Sequence, residues 1–475
     1  MTILMYVITI VAIGLIVFML LKKMDITISM FLIGLVLMFI AIFMGNDIAI
    51  KGFESTGALW LDPFKALVEQ FKSMMTSSGF IILILGGYAA YMSSIGANQV
   101  TVSVLTKPIM KIKSVYILVP VIFLLGNMLS LVIPSASNLA IILLATLYPV
   151  MVKAGMSPLT AAGVIATTAT IIPTPLGSDN VAIAAELATT PEFAGLTVSD
   201  YVFNYHALIS LPTLIIIAVV HYFWQKFMDK RSKNNADEDS DALVENTKKI
   251  PDEPDVKGFM RFVYFLLPLL PIILMIVVFI LAKFGINISV GVEVVSVISF
   301  FIAMLCEMIR NKNVKKGLDG SAEFFKGMGG AMPIVALLVA ATVFVVGLKS
   351  IGLITELQSI MSNMQGNGLG FVLPLIMVIF TALIVLLSGS GTSLFFAMVP
   401  LMVPLAGAAG ISVLALSVPM GLAGNLLRAV SPVAAVVMIV AGTVKRPPLE
   451  IVKRTSVPMI VGTIFMFVFS MIVFL

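Results

Sequence analysis

Two charged residues lie where an apolar chain has no ordinary use for them. Arg428 sits in GNLLRAVSP (424–432), with mostly apolar neighbours for about a turn on either side, and Asp179 sits in IIPTPLGSDN (171–180). An arginine at bilayer depth costs about 2.5–3.5 kcal/mol on insertion scales, so its presence points to function. A guanidinium offers two parallel donors that match a carboxylate. Arg428 can therefore bind a substrate carboxylate, pair with Asp179 as a structural bridge, or snorkel to the interface. Lys445 lies too far along the chain for Arg428 to be a simple interfacial anchor. Asp179, with Ser178 and Asn180 beside it and Glu186 two turns on, can carry a coupling proton, coordinate a coupling sodium ion, or balance Arg428. Asn425 and Ser431 complete the polar set around the arginine.

Two clusters of small polar residues stand apart from these. Ser135, Ser137 and Asn138 fall in PSASNL (134–139), and Ser388, Ser390, Thr392 and Ser393 in and just before GSGTSL (389–394). Each precedes an apolar run. Serine, threonine and asparagine are good helix N-caps, and a helix start presents free N–H groups and a partial positive charge. Two such starts meeting inside a membrane make an anion site; the plainer reading is that small residues allow close helix packing. Both segments carrying the charges also contain proline and glycine, which unwind a helix. Unwound backbone at membrane depth is tolerated only where it lines a cavity.

Enzyme chemistry lacks its parts. There is one cysteine, Cys306, inside an apolar run, and there are two histidines. His221, next to Tyr222, Phe223 and Trp224, reads as part of an interfacial belt, and His206 reads as close to the opposite surface. No nucleophile–base pair, disulfide or metal cluster can be assembled, so neither a metal nor an organic cofactor is expected. The net charge of +5 comes from basic residues clustered in loops and calls for no nucleic-acid partner.

The elements that hold these residues follow from composition. Of 475 residues 60% are hydrophobic and 11% charged, against about 25% charged in a soluble domain. The chain must use lipid as its solvent, and its continuous apolar runs of about 20 residues are helices rather than barrel strands. The run near 3–21, followed by Lys22 and Lys23, reads as a retained helix rather than a cleaved signal. One long polar stretch, residues 225–257, is expected to be a solvated cytoplasmic linker. It separates two halves, 1–224 and 258–475, that resemble each other. Shifted by about 255 residues, PSASNL falls on GSGTSL, Pro149 on Pro404, Gly155 on Gly410 and Ser157 on Ser412. Loop charges orient the halves oppositely. The expected fold is an all-α polytopic membrane protein of two inverted-topology repeats. It has about ten spanning helices, two re-entrant hairpins turning at the serine clusters, and two broken helices. Spans are expected near 3–21, 26–45, 79–97, 157–190, 202–224, 262–282 and 455–475, with 45–79 a long outer loop.

Four segments then mark a resemblance. IGAN (95–98), HYFWQKFMDK (221–230), NLLRAVSPV (425–433) and VKRTSVP (452–458) are similar to the DcuC-type anaerobic C4-dicarboxylate carriers of bacteria. The resemblance implies an inner-membrane secondary transporter of succinate, fumarate and malate within a wider ion-transporter superfamily, working as ion symport or as exchange or efflux. It also implies a homodimer with an elevator motion. Scaffold helices would lie in 1–60 and 258–310 and transport elements in 79–190 and 330–443. The hairpin tips at 135–138 and 390–393 would correspond to the Ser-Asn-Thr signatures of sodium-coupled relatives. Here they read SASN and SGTS, so sodium and proton both stay open as coupling ions. A carrier of another organic anion or of an amino acid, or a cation or proton antiporter, are the alternatives.

Overall fold

The computed structural model describes residues 2–22, 24–107, 112, 114–233, 256–286, 288, 290–353, 355–356, 370–389 and 391–475. Among them every regular element is helical, as backbone inside hydrocarbon requires. The first half runs α1 (Thr2–Leu21), α2 (Ile26–Phe43), α3 (Asp62–Met74), α4 (Phe80–Ser94), α5 (Ala97–Thr106), α6 (Val115–Ser130), α7 (Ala136–Thr146), α8 (Tyr148–Lys153), α9 (Pro158–Ala166), α10 (Ser178–Leu187) and α11 (Ala207–Lys233). The second runs α12 (Gly258–Leu266), α13 (Leu270–Lys283), α14 (Val292–Asn311), α15 (Val314–Gly320), α16 (Ala322–Ser350), α17 (Val372–Ser388), α18 (Gly391–Ala409), α19 (Val413–Leu427), α20 (Ala435–Thr443) and α21 (Pro448–Phe474). Among the described residues eight helical stretches are long and apolar enough to cross a membrane. Five shorter apolar helices accompany them among these residues, four of them flanking the two turns.

α2, α4 and α16 pack as a slab, with α16 between the other two. Lipid tails are as apolar as leucine, so helices in a membrane associate through close packing at small residues. Glycines supply that closeness here. A Cβ on Gly34 would lie 2.9 Å from Phe344 Cα, one on Gly86 2.6 Å from Ala331 Cβ, and one on Gly327 2.4 Å from Ala90 Cβ. α16 thus packs closely against both α4 and α2.

The breaks lie in other helices. α9 ends at Ala166 and α10 starts at Ser178; the intervening TTATIIPTPLG contains two prolines, which donate no N–H. Its backbone is satisfied from elsewhere. Asn127 of α6, fully buried, accepts from Thr170 N at 3.0 Å and donates to Thr167 O at 3.2 Å. Asn180 donates to Thr174 O at 2.9 Å. In the other half α19 tightens into a 3₁₀ turn at Arg428–Val430. Ser431 then turns extended, with ψ 123°, as a residue before proline prefers. Thr455 of α21 donates to Ala429 O at 2.6 Å.

Three stretches differ from expectation. The expected outer loop is helical from Asp62, whose carboxylate accepts from Ser55 Oγ at 2.6 Å and Thr56 N at 2.7 Å, and it runs through a π-turn at Met75–Gly79 into α4. The expected linker start is still α11, which continues to Lys233 because Gln225 and Asp229 face inward. The last helix begins at Pro448, ahead of the expected 455, so Lys453 is exposed on it while Arg454 points into the protein. Gly155 and Gly410 both adopt positive φ, 93° and 64°, and each is followed by a serine cap, Ser157 or Ser412, that accepts a backbone N–H. These are the positions the internal alignment had paired.

Candidate functional site

Both turns and both breaks meet at one cavity of about 500 Å³. The first turn contributes Pro134, Ser135 and Ser137; the first break contributes Gly177, Ser178 and Asp179. The second turn contributes Gly389, and the second break Asn425 and Arg428, with Ala434 and Ala435 at the start of α20. Gly86 of α4 and Ala331 and Ile334 of α16 close the cavity on the slab side. The N-termini of α7, α10 and α20 therefore all open onto the same space, which favours an anion there. Ser135 caps α7 by accepting from Asn138 N at 3.4 Å.

The charged pair crosses between halves without forming a salt bridge. Arg428 donates through Nη2 to Ala169 O, in the first break. Asp179 accepts from Asn425 Nδ2 at 2.8 Å through one oxygen and from its neighbour Asn180 N at 3.0 Å through the other. The bridge between Arg428 and Asp179 that the sequence allowed is not made; an amide occupies the carboxylate instead. Both groups are only partly covered and line the cavity, so a ligand can reach them.

Gly389 fixes how close the second turn comes. It caps α17 with φ +73°, and a Cβ there would lie 2.5 Å from Val433 O. Only glycine fits both the left-handed backbone and that approach.

Of the residues singled out from sequence, Ser135, Ser137, Ser178, Asp179, Asn425 and Arg428 line the cavity. Asn138 is exposed and lines neither this cavity nor the smaller one beside it. Ser431 is fully buried and donates to Leu386 O at 3.1 Å, tying the second break to α17. Asn180 braces the first break, and Glu186, a little further along α10, lines neither cavity. Ser390 lies outside the described residues, as do the side chains of Thr392 and Ser393.

Both histidines were misplaced by sequence. His221 is fully buried in α11, its ring nitrogens 3.1 Å from Thr167 Oγ1 and 3.3 Å from Gln225 Nε2. His206 is 4% exposed and lines a second cavity of about 70 Å³ that shares Asp179, Asn425 and Arg428 with the first. Their aromatic and polar neighbours suggested a surface; packing of α11 under the first break buries them. Asn127 was missed too, though a lone amide in the apolar run of α6 carried the same signal as Arg428.

Apolar spanning helices that break around a charged, backbone-lined cavity define a polytopic membrane transporter. Comparisons with known proteins agree. A family profile described as C4-dicarboxylate anaerobic carrier, DcuC, matches residues 4–475. The anaerobic C4-dicarboxylate transporter DcuC of Escherichia coli K12 is 34% identical over 444 residues, covering 92% of this chain and 90% of that protein. A probable counterpart in Vibrio cholerae is 34% identical over 443 residues, covering 92% and 91%. Among solved structures, the Alcanivorax borkumensis YdaH transporter superposes with a TM-score of 0.67 at 15% identity, over 94% of this chain and 97% of that one. Neisseria gonorrhoeae MtrF, described within a class of antimetabolite efflux pumps, gives 0.58 at 14%, over 94% and 95%. These two likenesses show the fold. The chain belongs to the C4-dicarboxylate anaerobic carrier family: it is a multi-pass transporter of the bacterial inner membrane and not an enzyme.

Proposed function

We propose that the protein carries C4-dicarboxylates, among them succinate, fumarate and malate, by an elevator-type alternating-access mechanism. The observation that carries this reading is the convergence of Arg428 and three helix N-termini on one cavity. One substrate carboxylate takes the guanidinium fork, and the other rests on the serine-capped start of α7. A cavity of about 500 Å³ falls in the range of small-molecule sites and leaves room for water around a four-carbon acid. The two halves act as inverted repeats whose turns are re-entrant hairpins. The breaks and hairpins move together past the slab of α2, α4 and α16, the cavity lying at their shared surface. Transport is driven by a co-transported proton or sodium ion or by exchange for a second dicarboxylate.

Asp179 supports a second reading, because a carboxylate at the cavity also suits the ammonium group of an amino acid. Thermal unfolding of the purified carrier separates the two. Succinate and fumarate are expected to raise the unfolding temperature at concentrations where butyrate and alanine do not. Equal stabilisation by butyrate would remove the need for a second carboxylate, and stabilisation by alanine alone would favour the amino acid.

Gly389→Ala is expected to abolish most uptake at normal expression. An alanine in the left-handed region costs about 1–2 kcal/mol, and its Cβ would push the second hairpin off Val433. Gly407→Ala, in α18 with open space around it, is the control expected to transport normally. Normal uptake by Gly389→Ala in proteoliposomes would show that the close approach has no part in the cycle.

A further inference from the structure

The smaller cavity shares Asp179, Asn425 and Arg428 with the larger and is lined further by Thr170, Thr174, Asn180 and His206. Its volume, about 70 Å³, exceeds the roughly 10–15 Å³ of probe-occupied space one water needs, and its walls are polar enough to hold water. His206 differs from the other buried histidine. Both ring nitrogens of His221 have protein neighbours at hydrogen-bond distance, whereas Nδ1 of His206 has no partner among the described residues. A buried polar atom left unpaired in a native fold calls for an explanation. The ring packs edge-on against Tyr201, at 6.2 Å between centroids, and the Tyr201 hydroxyl is also without a partner.

The charged groups that face this imidazole from the surrounding elements are Asp179 on α10 and Arg428 at the end of α19; Tyr201 stands on its own turn. Asp200, just before that turn, is engaged in a cap with Thr197. The site thus sets one guanidinium against one carboxylate. A dicarboxylate adds two negative charges to that balance. We propose that His206 is the proton-binding residue of this site. Protonated, it supplies the second cation that a dianion requires, and water in the small cavity carries the proton to it. Substrate and proton then bind cooperatively, because each raises the affinity for the other by the same factor. A monoanion draws the proton less strongly, so His206 also favours diacids over monoacids.

This proposal rests on the reading of the larger cavity as a dicarboxylate site, and the test separates the two. Calorimetric titration of the purified carrier with succinate, in buffers of different ionisation enthalpy, counts protons taken up on binding. Near neutral pH the wild type is expected to take up about one proton per succinate, since a buried imidazole stays neutral in the empty site and is charged only beside the dianion. His206→Gln keeps the side chain's polarity and approximate bulk but holds no proton; it should bind succinate more weakly with no proton uptake. Uptake that persists in His206→Gln and disappears in Asp179→Asn would overturn the proposal in favour of the carboxylate. Binding without proton uptake in the wild type would overturn it alone, and no succinate binding at all would overturn the functional reading and this proposal together. Should His206→Gln fail to fold, His206→Asn is titrated in its place, and the wild-type pH profile tests for the linked proton itself. The succinate dissociation constant should rise about tenfold per pH unit on the alkaline side, and a flat profile from pH 6 to pH 9 would exclude a linked proton.

Discussion

Arg428→Ala is expected to lower succinate affinity by roughly two to four orders of magnitude. Removing one member of a buried charged pair typically costs about 3–5 kcal/mol, and each 1.4 kcal/mol is about tenfold. In the proposed complex the substrate carboxylate is that pair's other member. Arg428→Lys keeps the charge but loses the paired donors, so weak transport should remain. The guanidinium also donates to Ala169 O in the first break, so alanine could act by loosening backbone instead. The unfolding temperature of the empty carrier separates these effects: it should fall in Arg428→Ala if the lost backbone contact matters and stay unchanged if only the substrate contact is lost. The structure sharpens a further control. Asp179 already accepts from Asn425, so it does not depend on Arg428, and Arg428→Ala with Asp179→Asn should stay inactive. Recovery of transport in that double variant would make the arginine a structural counter-ion and leave the substrate without its main contact.

The second large effect is expected outside the cavity lining. Arg454 Nη1 and Asp229 Oδ1 are 2.7 Å apart, with side chains 3% and 6% exposed. The same carboxylate oxygen accepts from Ser157 Oγ at 2.7 Å and Thr160 Oγ1 at 2.8 Å. Gln225 donates to Arg454 O at 2.8 Å and lies against His221, which meets Thr167 at the start of the first break. One residue along, Thr455 holds the second break. This network fastens α9, α11 and α21 into one body with both breaks, as a moving unit would need. Asp229→Ala strands a buried guanidinium and should destabilise the fold by about 3–5 kcal/mol, seen as a fall in unfolding temperature and poor recovery from membranes. Replacing both partners with apolar residues, Asp229→Leu with Arg454→Met, should recover much of that stability. An unfolding temperature unchanged in Asp229→Ala would mean that water reaches the pair and that it fastens nothing.

Arg428 and Asp179 could be read from sequence because a charge within an apolar run is conspicuous whatever surrounds it. The turns could be read because proline, glycine and serine act locally. Arg454 and Asp229 could not, since they occur among other charges near helix ends, where a charge run looks solvated. Only the helical phase of α21, set by its start at Pro448, separates exposed Lys453 from buried Arg454. His206 escaped for a related reason: the capping box at Thr197–Asp200 marks a surface turn, and the next turn of the chain passes under α10 into the site. Gly389 looked like one small residue among several. Its importance lies in the backbone of residues 433–434 pressed against it, a contact between segments far apart in sequence.

A dianion, and not a cation, is the species proposed to be carried at the Arg428 cavity. Accumulation of labelled succinate and of labelled sodium should be measured side by side in proteoliposomes holding the wild-type carrier or Arg428→Lys. Succinate is expected to enter wild-type vesicles well above empty ones, to be displaced by unlabelled fumarate, and to enter Arg428→Lys vesicles only weakly. Sodium accumulation without succinate, or succinate uptake equal in the two proteins, would contradict that assignment.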